Sequence, residues 1–311
     1  MQREYNSIML LVHAGAGSGM GGKLAPQATE ALRTLYTSAE FEVIETKGKE
    51  HIREVGCTTE ADLVICLSGD GCVHDLAQSL LARPRDNRPT LASIPAGSGN
   101  DYARSLGIPS DCMKAIALLP VCEPLMVDVG RVNDTYFLET LSFGMDAAVA
   151  INTEKLRLST QSRGIRLYAR AAIKSIIHEF NELQATMKIN EETHTLSTYI
   201  LAIQNGPTYG GGFRVAPFAS IVDGMFDVYT VSGIGKLKAL YYLTKLKDGK
   251  HVDLKEFSSY KTSKLELEFA EQPPAQCDGE KLTGQRFSVS LLPAELKVLA
   301  SSEASIGQMT K

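Results

Sequence analysis

Three short glycine turns are where this sequence could do chemistry. Each closes an apolar run: Gly15-Ala16-Gly17-Ser18-Gly19 follows IMLLVHA, Ser68-Gly69-Asp70-Gly71 follows ADLVICL, and Ala96-Gly97-Ser98-Gly99-Asn100-Asp101 follows TLASIP. A turn between a strand and a helix start offers unbonded N–H groups and the positive end of the helix dipole, which together hold anions. Glycine lets the backbone approach a phosphate that a Cβ would push away. A nucleotide is the first ligand to consider.

The turns differ in what else they carry. Gly17 to Lys23 satisfies G-x-x-x-x-G-K, but Leu24 stands where the phosphate loop needs a metal-binding hydroxyl, and the same glycines also fit G-x-G-x-x-G. In the second turn Asp70 lies between two glycines, so a carboxylate is held near any bound phosphate. That arrangement is repulsive unless Mg²⁺ intervenes or a proton is to be moved, although an aspartate here also suits a helix cap. The third turn, with Asn100 and Asp101 leading into Tyr-Ala-Arg, is the most specific segment.

The elements that must position these turns alternate. Strands SIMLLVHA, FEVIET, ADLVICLSG and TLASIPAG are separated by helical stretches expected over Pro26 to Ser38, Glu50 to Gly56 and Val73 to Ala82, with another over Asp111 to Leu118. Near-continuous apolar strands alternating with helices predict a parallel sheet covered on both faces, with ligands beyond the carboxyl ends of the strands. From LMVDVGRVN onward, TYFLETLSFG, THTLSTYILAIQNG, MFDVYTVS, KLELEFA and RFSVSLLP predict a mainly antiparallel β-sandwich, interrupted by helices over Ile165 to Phe180 and Gly235 to Lys247. The expected organisation is an α/β domain over 1–128, rejoined by a tail over 297–311, and a β-rich domain over 129–296.

Composition narrows the class. The 311 residues carry a formal net charge of −4, which argues against a nucleic-acid binder held by a basic face. No apolar stretch approaches the roughly 20 residues of a membrane span. MQREYNSIMLLVHAG has neither the basic start nor the long apolar stretch of a secretory leader, and the six cysteines show no C-x-x-C spacing, so a cytoplasmic protein with reduced thiols is expected. Histidines and cysteines show no zinc-site spacing.

SGDGCVHD followed by IPAGSGNDYARSLGIP resembles the diacylglycerol kinase catalytic-domain family, the lipid kinases that include sphingosine kinases and soluble bacterial enzymes. VDVGRVNDTYFLETLSFGMDA, NGPTYGGGFRVAPFASIVDGMFDV and Cys277-Asp278-Gly279-Glu280 extend the resemblance over nearly the whole chain. It departs at His13-Ala14, where the family usually has Asn-Pro, and at Ser68 and Cys72, which replace Gly and Thr. The fold implied is the NAD kinase/diacylglycerol kinase type. The activity implied is phosphoryl transfer from ATP, with Mg²⁺, to a lipid hydroxyl.

Site residues follow from the resemblance. Gly17, Ser18, Gly19, Gly69, Gly71, Gly97, Ser98, Gly99 and Asn100 would hold the nucleotide, with Arg157 and Arg163 on its phosphates; Asp70, Asp101 and Asp128 would organise Mg²⁺, and Asp223 a further metal. Glu280 is the preferred base and Asp70 its rival. A lipid acceptor places the protein at the inner membrane face, where the lysine-flanked stretch 236–250 could rest. Pairing with a second copy is left open. A sphingoid-base kinase, an NAD kinase-like enzyme and a catalytically silent nucleotide- or lipid-binding homologue are the alternatives.

Overall fold

A computed structural model describes residues 4–159 and 164–305. The chain divides into two compact units, Met1–Val127 with Ala294–Ser305, and the intervening segment from Asp128 to Pro293. Unit 1 is built from β1 (Ser7–Val12), α1 (Ala16–Leu35), β2 (Glu40–Glu45), α2 (Lys49–Thr58), β3 (Leu63–Ser68), α3 (Asp70–Leu81), β4 (Thr90–Pro95), α4 (Asp101–Ser105) and α5 (Cys112–Leu118), with β5 (Glu123–Val132) leading out. Its strands are parallel in the order β2-β1-β3-β4. β3 and β4 are buried along their whole length, as two-sided cover demands, while β2 at the edge alternates with exposed glutamates. The chain returns at its end to place Val298 beside Leu91 of β4.

Unit 2 continues with β6 (Thr135–Phe137), β7 (Thr140–Gly144), α6 (Met145–Ser159), α7 (Gly164–His178), β8 (Leu183–Ile189), β9 (Glu192–Thr198), β10 (Ile200–Gln204), β11 (Phe226–Val231), α8 (Lys236–Lys247), β12 (Phe257–Thr262), β13 (Lys264–Phe269), β14 (Ala275–Cys277), β15 (Glu280–Leu282) and β16 (Arg286–Ala300). One antiparallel sheet runs β12-β11-β10-β7-β14-β15, and a second pairs β9, β8, β13 and the first half of β16. Phe143 packs on Phe269 and Phe287, and Phe137 stacks on Phe226, in the apolar core of this sandwich. Each such ring contributes about 1.5–3 kcal/mol by leaving water.

Several boundaries differ from the sequence expectation for identifiable reasons. α1 starts well before Pro26 because glycines 21 and 22 wind into helix against His13 and Ala14; a Cβ on Gly21 would lie 2.2 Å from the His13 carbonyl oxygen. α3 begins at Asp70 rather than Val73, since the glycine turn is itself the first helical turn. TYFLETLSFG splits into β6 and β7 where the Asp278 carboxylate takes the N–H groups of Leu138, Glu139 and Thr140. THTLSTYILAIQNG splits at Tyr199, where the chain passes from one sheet to the other. The helix α6 was not foreseen.

Candidate functional site

Strand order decides where the three glycine turns go. β1, β3 and β4 are neighbours and parallel, with Val12 level with Leu67 and Ser68 level with Pro95, so the turns that follow them emerge side by side. They touch. A Cβ on Gly17 would lie 2.3 Å from the Ala96 carbonyl oxygen, and one on Gly97 would lie 2.4 Å from the Gly69 Cα. The first turn therefore rests on the third, and the third on the second, through contacts that no other residue type permits.

The backbone of the first turn is unusual. Gly17, Ser18 and Gly19 have φ of 56°, 59° and 90°, three consecutive left-handed residues. A serine held there carries strain of the kind that concentrates at ligand sites, and a run of such residues shapes a concave nest of N–H groups. Ideal Cβ atoms on Gly19 and Gly71 meet nothing within 4 Å, so both glycines border open space rather than protein. Packed glycines build the turn cluster; open ones leave it accessible.

The third turn is locked from within. Asn100, at φ 54°, accepts the Gly97 N–H at 2.9 Å and donates its side-chain amide to the Gly97 carbonyl at 3.1 Å. Arg104 pairs with Asp101 and donates to the Gly99 carbonyl at 3.1 Å. Asp70 accepts the Tyr102 N–H at 3.2 Å. Its loss of solvent, reinforced by the neighbouring Asp101 charge, pushes its pKa up to about 7 against the pull of Tyr102, Asn100 and Arg104. Asp75 points elsewhere and ties α3 to α2 through Lys49 and Arg53 at 3.3 and 3.1 Å. Cys72 is buried with its Sγ 3.5 Å from the Cys66 thiol; that contact and the Ser68 hydroxyl lower the Cys72 pKa against burial, while the same contact and burial raise that of Cys66.

Unit 2 gathers the remaining segments around two side chains. Asp278, at φ 47° in the hairpin between β14 and β15, accepts Leu138, Glu139 and Thr140 N–H groups at 2.7, 3.0 and 3.0 Å. Glu280 is placed by that clamp as the first residue of β15, opposite Cys277. Asn205 donates to the carbonyls of Asp128 and Leu138 at 3.0 and 2.8 Å, joining the NGPTYGGG segment to VDVG. The Asp128 carboxylate accepts the Gly224 N–H at 2.7 Å, beside Asp223, which itself pairs with Lys261 at 3.2 Å. Arg157 lies on α6 with its side chain outside the described residues, and Arg163 lies outside them altogether.

Sequence reasoning assigned no role to Asn205, Asp278, Glu139 or Asp146. Asp146 opens α6, and burial raises its carboxyl to about 6, partly offset by a hydrogen bond from Ser142. α6 lies over β7, β10 and β14, whose covered face bears the buried Thr140, Ser142, Gln204 and Gln276. Gln276 donates to Ser142 at 2.7 Å and Gln204 to Thr140 at 2.5 Å. The Asp-Gly dipeptide at Asp278 was a turn signal for the hairpin; nothing in the sequence announced the buried polar strip.

The donor set bears on a metal. Among the described residues no group of three or more His, Cys, Asp or Glu side chains could hold a metal ion. Asp70 and Asp101 fit a cation that also takes phosphate oxygens, since two neighbouring carboxylates with one raised toward neutrality are what a divalent ion would relieve.

Comparison with known proteins agrees with this geometry. Residues 7–132 match the diacylglycerol kinase catalytic domain, and residues 139–300 match the YegS C-terminal NAD kinase beta sandwich-like domain. A protein of Chromohalobacter salexigens named "Probable lipid kinase YegS-like" is 27% identical, covering 92% of this chain and 93% of its own. "Lipid kinase YegS" of Escherichia coli K12 is 27% identical over 80% of each chain. The crystal structure of a diacylglycerol kinase from Bacillus anthracis superposes with a TM-score of 0.79 at 21% identity, over 97% of this chain and 99% of that one. With both halves of the chain matched in order, and with the turns and hairpin that carry the motifs built as the fold requires, the protein belongs to the diacylglycerol kinase catalytic-domain family, in the group that bears the YegS-type C-terminal sandwich.

Proposed function

We propose that this protein is an ATP- and Mg²⁺-dependent lipid kinase that transfers the γ-phosphoryl group to a hydroxyl of a lipid such as diacylglycerol. The observation that carries the reading is the mutual packing of the three glycine turns, which leaves Gly19 and Gly71 facing open space, with Gly71 next in sequence to Asp70 of the Asp70–Asp101 pair. The names of its relatives supply the lipid acceptor. Backbone N–H groups of the turns would bind the phosphates, and Asp70 and Asp101 are the residues that would hold Mg²⁺. Mg²⁺ would screen the triphosphate charge.

The chemistry asks for one proton transfer. As the lipid oxygen bonds to phosphorus and the bond from phosphorus to the β,γ-bridging oxygen breaks, the hydroxyl proton passes to a carboxylate, for which Glu280 is our choice, and ADP leaves. Asp70 is better suited to the metal, because its Oδ1 already accepts the Tyr102 N–H and Asp101 is its neighbour.

The test is incubation of purified protein with ATP, Mg²⁺ and a panel of diacylglycerol, sphingoid bases, monoacylglycerol and glycerophospholipids, with NAD in parallel. The reading requires a phosphorylated lipid and no NADP, and Asp70→Ala should abolish nearly all turnover. NADP without phospholipid product would make the protein an NAD kinase; ATP binding with neither product would make it a silent homologue.

A further inference from the structure

Two of the six cysteines lie in contact beneath the second glycine turn. Cys66 is in β3, level with Leu11 of β1 and Ser93 of β4, and is 0% exposed. Cys72 is the third residue of α3 and is 6% exposed. Their sulfurs are 3.5 Å apart. Buried cysteines are ordinary core residues, so burial alone assigns them nothing. Contact across the turn does, because the chain between them is Leu67-Ser68-Gly69-Asp70-Gly71, the segment that carries the carboxylate. A bond between the sulfurs would close a ring around it.

That bond would have consequences for the turn. A disulfide holds its sulfurs at about 2.05 Å, so the pair must close by roughly 1.5 Å. β3 is paired with β1 on one side and β4 on the other and is the fixed partner, which leaves the start of α3 to shift. The start of α3 has little slack. A Cβ on Gly97 would already lie 2.4 Å from the Gly69 Cα, and Asp70 accepts the Tyr102 N–H at 3.2 Å. Drawing α3 toward β3 disturbs both contacts, and the second and third turns lose their mutual fit.

We propose that Cys66 and Cys72 are a modification site, converted by a peroxide into a disulfide that weakens nucleotide binding and returned to thiols by a dithiol. Cys72 adjoins Gly71, whose ideal Cβ meets nothing within 4 Å, so a molecule as small as hydrogen peroxide has a way in beside it. The Cys72 sulfur, the more accessible of the two, attacks the O–O bond, becoming a sulfenic acid as one water leaves. The Cys66 sulfur then displaces the hydroxyl: the S–S bond forms, the S–O bond breaks and a second water leaves. Two thiols and one hydrogen peroxide thus become one disulfide and two waters. The inference goes beyond the lipid-kinase reading and rests on it only for the seat of ATP on the turns.

Reduced full-length protein, treated with hydrogen peroxide and then catalase, tests it by two readouts. Denaturation in iodoacetamide, digestion and tandem mass spectrometry should find Cys66 and Cys72 joined and unalkylated, and Cys57→Ser, which removes an exposed thiol, should give the same result. Titration calorimetry should show ATP affinity lower by roughly tenfold or more, the cost of misplacing one or two phosphate hydrogen bonds, and dithiothreitol should restore it. In Cys72→Ala, peroxide should leave ATP affinity where it stood before treatment. Cys66→Ala should form no disulfide, oxidise at Cys72 to the sulfinic acid, and fail to recover with dithiothreitol. Alkylation of both cysteines after peroxide overturns the proposal. So does a Cys66–Cys72 disulfide with unchanged ATP affinity, or a loss in Cys72→Ala equal to that of wild type. Reduced protein that binds ATP and phosphorylates no lipid fails the kinase reading alone, whereas a lipid kinase whose ATP affinity ignores peroxide fails the redox proposal alone.

Discussion

At the scale of single residues, the glycines of the three turns separate into two kinds, and substitution should tell them apart. Gly97→Ala drives a methyl group into the Gly69 backbone, so it should lower stability by several kcal/mol, roughly as overpacking does, and ATP binding with it. Gly71→Ala meets no protein atom and lies in a helix that favours alanine, so its melting temperature should hold or rise while its affinity for ATP falls. Isothermal titration and thermal melts check both; equal loss of stability in the two variants would contradict the assignment. Asp70 makes a third case. Its folded-state pKa near 7 lies above the ordinary value of 3.8, so it contributes stability as the neutral acid at low pH that is lost as pH rises through about 7. Asp70→Asn should therefore melt higher than wild type in metal-free buffer, by a margin that grows from about pH 4 to about pH 8, while turnover disappears. A margin that shrinks with rising pH would contradict the carboxylate's environment as described.

At the scale of elements, the hairpin joining β14 to β15 separates a structural acid, Asp278, from the acid proposed as the base, Glu280. Asp278→Ala leaves three N–H groups of the β6–β7 corner without their carboxylate, and charge-assisted hydrogen bonds of this kind contribute about 1.5–3 kcal/mol each. It should both destabilise unit 2 and remove activity. Glu280→Gln should leave the melting temperature near wild type and ATP affinity unchanged, yet cut kcat by roughly 10²–10⁴-fold, the usual cost of losing a positioned base. Comparable kcat loss in both variants with unchanged stability in both would overturn this division of labour. Much of this level was legible beforehand: apolar runs marked β1, β3 and β4, and the glycines closing them marked the turns, because strand burial and turn chemistry are local. Asn205 and Asp278 were not legible in role, since each bonds partners some 70 to 140 positions away and no periodicity reports such contacts. The polar strip on β7 and β10 misleads for a different reason. Thr140 and Ser142 alternate with Leu141 and Phe143 as a solvent-facing strand would, yet α6 covers them.

At the scale of the whole molecule, two units of different architecture each carry part of the motif set: the parallel sheet of unit 1 bears the turn cluster, and the sandwich of unit 2 bears the hairpin with Glu280. The order of motifs along the chain revealed this plan, whereas the identity of the acceptor depends on side chains with no sequence signature. The central claim is that these parts move phosphate from ATP to lipid. Its most direct measurement is incubation of purified protein with γ-labelled ATP, Mg²⁺ and a total membrane lipid extract, followed by organic extraction and mass spectrometry. The account predicts label in a lipid one phosphate heavier than its precursor, absent without Mg²⁺ and absent in Glu280→Gln. Label confined to the aqueous phase, under conditions where the same preparation binds ATP, would contradict it.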